Sequence, residues 1–76
     1  MSRNNLIACV RWRGRYYVFG NVCADVPVGY SDYDEYVRSH IHSRSRYTYD
    51  WGRALVRAHR LQNKTQTEYG VQMVYL

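Results

Sequence analysis

Arg53, Arg57, Arg60 and Lys64 recur at i, i+4, i+7 and i+11. At about 100° per residue, a helix gathers these four side chains within roughly 60° of arc. The chemistry such a stripe can do is anion recognition. A guanidinium forks onto phosphate or carboxylate through paired N–H groups, and an ammonium acts as a point charge. Just upstream, Arg44, Arg46 and Tyr47 are followed by Tyr49 and Trp51. Cations interleaved with rings can grip phosphates and stack bases, or fit an acidic groove on a protein. We take Arg53, Arg57, Arg60, Lys64, Arg44, Arg46 and Tyr47 as the candidate partner-binding residues. Arg11, Arg13 and Arg15 form a second basic spot. On an exposed strand edge they would also discourage unwanted pairing.

Other chemistries lack their residues. Cys9, Cys23, His40, His42 and His59 are the soft metal ligands, and none falls at zinc-finger spacing. His40 and His42, two apart, would lie on different faces of one helix. Cys23 at a loop edge could pair with a histidine as a nucleophile, but nothing marks an oxyanion hole or an orienting third group. Asp32, Asp34 and Glu35 cluster where a helix begins, and there acids serve the cap and the helix dipole. No Gly-rich phosphate loop or dinucleotide fingerprint is present. The sequence therefore predicts no enzyme, no cofactor and no metal.

Five elements, the helix that bears it included, must position the stripe. Residues 51–64 set Trp51, Ala54, Leu55, Ala58 and Leu61 roughly opposite the cations, an amphipathic helix capped by Thr48 or Asp50. Residues 6–13 and 15–22 read as two strands turning at Trp12-Arg13-Gly14-Arg15, pairing Val10 with Tyr17 and Ala8 with Phe19. Leu6, Ala8, Val10, Trp12, Tyr17 and Phe19 form the expected core face. Ile7, Cys9, Arg11, Arg13, Tyr16 and Val18 form a mixed outer face. Ser31 is the expected N-cap of a first helix reaching about Ser43. Its inner stripe is Tyr33, Tyr36, Val37, His40 and Ile41, and Asp34 pairs with Arg38 outside. Residues 68–76 alternate as a last strand. It can join the sheet or pair with a second copy, making a homodimer. The fold class is thus α+β in the order β-β-α-α-β. A small antiparallel sheet would carry both helices on one face, as one domain spanning 1–76.

Composition narrows the partner. The net charge of +5 points to nucleic acid or an acidic protein surface. Nine tyrosines and ten arginines are the residue types that interfaces favour. A helix must also have a polar face, and arginine is a good helix former, so the same stripe is what a merely solvated face would show. The stripe itself holds no acid to relieve its like charges, which favours an external partner. It offers Gln62 and Asn63 for base contacts only at its end. No apolar stretch approaches a membrane span and no signal-peptide pattern opens the chain. A cytoplasmic location with reduced cysteines is expected.

The ending Thr67-Glu68-Tyr69-Gly70-Val71, after a helix such as Ala54-Leu55-Val56-Arg57-Ala58, resembles small reading frames of phages and prophages. Among these accessory proteins the chain is most similar to anti-CRISPR proteins. The resemblance covers the whole chain and assigns no residue a role. It implies a phage-type inhibitor, acting in the host cytoplasm, that binds a CRISPR-Cas effector complex and blocks its access to target DNA. Many anti-CRISPR proteins are acidic DNA mimics. A basic chain implies docking on an acidic or guide-RNA-bearing surface of a host protein or ribonucleoprotein instead. The alternative reading is a small basic nucleic-acid-binding protein.

Overall fold

The structure, a computed structural model, describes residues 4–76. Its hairpin follows from the turn. Arg13 and Gly14 both hold positive φ (52° and 75°), the two-residue geometry whose twist suits paired strands. The turn joins β1 (Asn5–Trp12) to β2 (Arg15–Cys23), with Trp12 opposite Arg15, Val10 opposite Tyr17 and Ala8 opposite Phe19. Further along, the register shifts between Leu6 and Ala8, so that Gly20 and Asn21 together oppose Ile7. This bulge reverses the alternation. Val22 turns to the same side as Phe19 and is fully buried.

The second helix, α2 (Trp51–Thr65), leads into β3 (Val71–Tyr75). β3 lies beside β1 and parallel to it, giving the strand order β2-β1-β3. The sheet is mixed rather than antiparallel. Parallel neighbours need a crossover, and the segment containing α2 supplies it.

β1 is the central strand, and Asn5 through Val10 are all buried. Leu6, Ala8 and Val10 pack with Tyr17, Val22, Tyr36 and Val37. Ile7 and Cys9 pack with Ala54 and Ala58 of α2. Successive strand residues point to opposite faces, so the first helix and α2 cover opposite faces of the sheet. The expectation of two helices on one face, with Ile7 and Cys9 turned outward, is corrected. The reason lies in Leu6-Ile7-Ala8-Cys9-Val10, an unbroken apolar run of the kind a strand covered on both sides carries. Arg11 and Arg13, which made that face read as wet, are exposed toward the hairpin tip.

The first helix, α1, is only Tyr33–Arg38. Asp32 rather than Ser31 caps it, accepting from Glu35 N at 2.8 Å. Ser31 instead donates its N–H and hydroxyl to Glu35 Oε1. The helix ends well before Ser43. Ser39 N–H is shared between Glu35 O and Tyr36 O, His40 and Ile41 N–H groups turn to carbonyls three residues back, and Ser39 Oγ donates to Tyr36 O at 2.5 Å, a local competitor to helical bonding. Tyr36, Val37 and Ile41 are buried as expected. Arg38 does not pair with Asp34; it lies 4.1 Å over the Trp12 ring and donates to Ile41 O at 3.3 Å.

A polar clasp closes the opposite end of the sheet. Asn5 is buried, donates to Asn21 Oδ1 at 2.6 Å, and its carbonyl accepts from Tyr69 N at 3.1 Å. Asn4 Nδ2 donates to Asp25 Oδ2 at 2.9 Å.

Candidate interaction surface

α2 presents the basic stripe because its two ends are fixed and its floor is small. Asp50 caps it, accepting from Arg53 N at 3.2 Å. Thr48, the other candidate cap, accepts from Asp50 N at 3.1 Å. At the far end Gln66 takes a left-handed conformation and its N–H bonds Gln62 O at 2.6 Å. Ala54 and Ala58 touch the sheet with no side chain beyond Cβ, which lets the helix axis come close. Leu61 seats over Gly20, where a Cβ would stand 3.0 Å from Leu61 Cδ2. With this face down, Arg53 and Arg60 are exposed and Arg57 is half-buried.

The break before α2 brings a further cation to the stripe. Thr48 and Tyr16 exchange two backbone bonds, of 2.8 and 3.0 Å, along the outer edge of β2. That pairing sets the phase of the segment. Thr48 and Arg46 fall on the α2 side, and Tyr47 and Tyr49 on the α1 side. Arg46, Asp50, Gly52, Arg53, Val56, Arg57 and Arg60 line a shallow groove of about 690 Å³. Asp50, the one acid of that lining, is engaged as the N-cap. Among the described residues, none of the four arginines is paired with a carboxylate or held over a ring. Lys64 is exposed one turn beyond Arg60, and Arg44 is exposed in the loop; neither lines the groove.

Tyr47 is elsewhere. Its ring lies 5.8 Å from Tyr17 and 5.4 Å from Tyr49, with the Arg15 guanidinium 4.4 Å over it. Arg15 is hydrogen-bonded to Tyr17 and Tyr49, and these bonds hold its pKa above the ordinary arginine value. Bonds from Tyr47 and then Arg15 hold the Tyr49 phenol below its ordinary value. Arg13 and Arg38 stand over Trp12 at 4.5 and 4.1 Å. The hairpin cations Arg13 and Arg15 are therefore ring-bound braces, while the cations around the α2 groove face water.

The remaining chemical candidates are dispersed. Cys9 is buried against α2 and burial pushes its thiol pKa up; Cys23 is exposed, and both are free thiols. His40 sits among Phe19 and Tyr36, with Nδ1 3.1 Å from Tyr36 O. Among the described residues no group of three or more His, Cys, Asp or Glu could hold a metal ion. Gln62 donates to Thr67 O at 3.0 Å and accepts from Thr67 Oγ1, so its amide is occupied rather than turned to a base. Within the described residues no helix is long and apolar enough to cross a membrane. Sequence reasoning missed the crossing of Arg46 and Tyr47 to different sides. Its only sequence signal is the two-residue alternation of Arg46 and Thr48 with Tyr47 and Tyr49, which has meaning once Thr48 is known to pair.

In comparisons with protein-family models, curated proteins and solved structures, nothing matches this chain. The class defined by fold and surface is a small α+β protein with a mixed three-stranded sheet and a solvent-facing basic groove on its long helix.

Proposed function

We propose that this protein is a non-enzymatic binding module that occupies an anionic surface of a macromolecular partner through the α2 groove. One observation carries the reading. Arg46, Arg53, Arg57 and Arg60 converge on one groove whose only acid is engaged as a helix cap. Like charges brought together without internal compensation raise the local potential, which speeds encounter with an anionic partner and strengthens the docked state. In the form suggested by its likeness to anti-CRISPR proteins, the module is a phage-type inhibitor. It docks on an acidic or guide-RNA-bearing surface of a CRISPR-Cas effector and blocks target DNA by occupying that surface.

The test is affinity capture from a host lysate, with and without nuclease, using the wild-type chain and Arg53→Glu/Arg57→Glu. Both positions line the open groove rather than the face of α2 that Ala54 and Ala58 set on the sheet, so the double variant is expected to keep the fold. The expected result is an effector complex that survives nuclease and is lost with charge reversal. No complex with any effector class, together with no protection of phage, refutes the inhibitor. Retained binding by the double variant returns the stripe to a solvated helix face. Capture of nucleic acid alone supports the alternative reading, and its signature is salt. Four neutralised phosphates give a slope of log K on log salt of about −3.6 for duplex DNA and about −2.8 for single strands.

A further inference from the structure

The two edges of the sheet are treated differently. The outer edge of β2 is bonded by Thr48 and broken by the bulge at Gly20 and Asn21. Those are the usual devices that keep an edge from recruiting another strand. Among the described residues, the outer edge of β3 has neither. Val71-Gln72-Met73-Val74-Tyr75 contains no charge, no proline and no glycine.

The phase of that edge follows from its bonds to β1. Gly70 O accepts from Ile7 N at 2.8 Å and Leu76 N donates to Arg11 O at 2.9 Å. Backbone groups alternate along a strand, so Gly70, Gln72, Val74 and Leu76 turn theirs to β1. Val71, Met73 and Tyr75 turn theirs to the open edge. Among the described residues nothing bonds to these outward groups. α2 lies over β1 and β2 and touches β3 least. On that face Val71 and Met73 are only half-buried and Tyr75 is 61% exposed.

We propose that β3 is a self-pairing edge. Two copies of this chain join antiparallel through Val71–Tyr75, about a two-fold axis at Met73 that runs through the sheet. The outward residues are symmetric about Met73, so this one register fills every outward N–H and C=O of each strand with those of the other. It sets Met73 against the partner's Met73 and Val71 against the partner's Tyr75, a β-branched–aromatic pair of the kind that stabilises sheets. Registers centred on Val71 or Tyr75 leave outward groups unpaired. The lack of charge selects a second copy over an acidic or basic strand. A chain of net charge +5 repels itself wherever its cations meet, and this edge has none. The result is a continuous six-stranded sheet with both α2 helices on the same side. At about 4.8 Å per strand, their axes would be roughly 19 Å apart. The pairing is independent of what the α2 groove binds.

Cysteine trapping tests it in the full chain carrying Cys23→Ser, which removes the exposed thiol. Directly opposite residues in a hydrogen-bonded pair have Cα atoms about 5.5 Å apart, inside the range of about 4.4–6.8 Å that a disulfide spans. Met73→Cys is expected to give a covalent dimer on mild oxidation. Gln72→Cys, whose opposite number is the partner's Val74, is expected to stay largely uncrosslinked. Light scattering of the unmodified chain should show a concentration-dependent dimer, and Tyr75→Lys, at an exposed position, should shift it toward monomer. A monomer at every concentration with no Met73→Cys crosslink overturns the proposal, including in favour of a foreign strand as occupant. Crosslinking that favours Gln72→Cys overturns the register.

Discussion

Replacing Ile7 by alanine separates a sheet covered on both faces from one covered on a single face. Ile7 is fully buried between the bulge of β2 and α2, 0% exposed, with its Cδ1 3.7 Å from where a Cβ on Gly20 would stand. The change removes three carbons. At about 0.8 kcal/mol per buried CH2 that is about 2.4 kcal/mol of lost transfer free energy. The neighbours across the gap are Ala54 and Ala58, whose short side chains cannot swing in to fill it. A cavity therefore persists and the cost rises toward about 3–4 kcal/mol, within the range of about 2–5 seen for such truncations. A 76-residue domain has about 4–11 kcal/mol in total. The assay is equilibrium urea unfolding followed by the fluorescence of Trp12 and Trp51. With a slope near 1 kcal/mol per molar urea, the midpoint should fall by about 3 M. Ile7→Val should lose only about 1 kcal/mol. A loss below about 0.5 kcal/mol for Ile7→Ala would place that side chain in water and α2 away from that face, refuting the three-layer arrangement.

Asp50→Ala removes the cap of α2 and should cost about 1 kcal/mol in the same unfolding experiment; no change would mean the Arg53 N–H is satisfied by water. Gly20→Val should cost about 1–3 kcal/mol by pushing Leu61 and α2 off the sheet, whereas Gly20→Ala, crowding only the flexible end of Leu61 and meeting Ile7 Cδ1 at ordinary contact distance, should be nearly neutral. Cys9, Tyr33 and Tyr36 all have pKa values raised, in each case chiefly by burial. The native state holds these protons longer than the unfolded chain. Stability from each is complete below its ordinary value and is lost above it, from about pH 8.5 upward for the Cys9 thiol and from about pH 10 upward for the two phenols. Urea midpoints should decline over that window, and a flat profile to pH 11 would contradict burial of these groups.

The hairpin was readable almost residue by residue, because Gly14 fixes the turn and the turn fixes which side chains face each other. α2 was readable because spacing alone gathers Ala54, Leu55 and Ala58 on a different face from Arg53, Arg57 and Arg60. The number of covered faces is not what the hairpin's outer residues suggest. Arg11 and Arg13 dominated the outer set, although the unbroken run from Leu6 to Val10 already carried the opposite message. α1 is shorter than its apolar stripe, which continues through His40 and Ile41 whether or not the backbone stays helical. The direction of β3 depends on how the crossover returns, which no local pattern records. For the candidate site, the stripe was legible and its neighbourhood was not. Arg46 reaches the groove and Tyr47 leaves it because Thr48 bonds to Tyr16, thirty-two residues earlier in the chain.

Coverage of β1 on both faces has a consequence for how the chain finds its native alignment. In a sheet wet on one side, sliding a strand by one residue throws its apolar set into water, and the error corrects itself. Here a slip of β1 exchanges one buried row for another, and Leu6, Ala8 and Val10 trade places with Ile7 and Cys9 at little loss of burial. Hydrophobicity cannot proofread that mistake. The polar end can: a shifted strand would drag Asn5 from Asn21 and Tyr69 and leave its amide dry and unmatched. Asn5 is thus the residue that makes the folding outcome single-valued. Its replacement by leucine should leave a compact protein with more than one strand alignment, visible as doubled amide resonances.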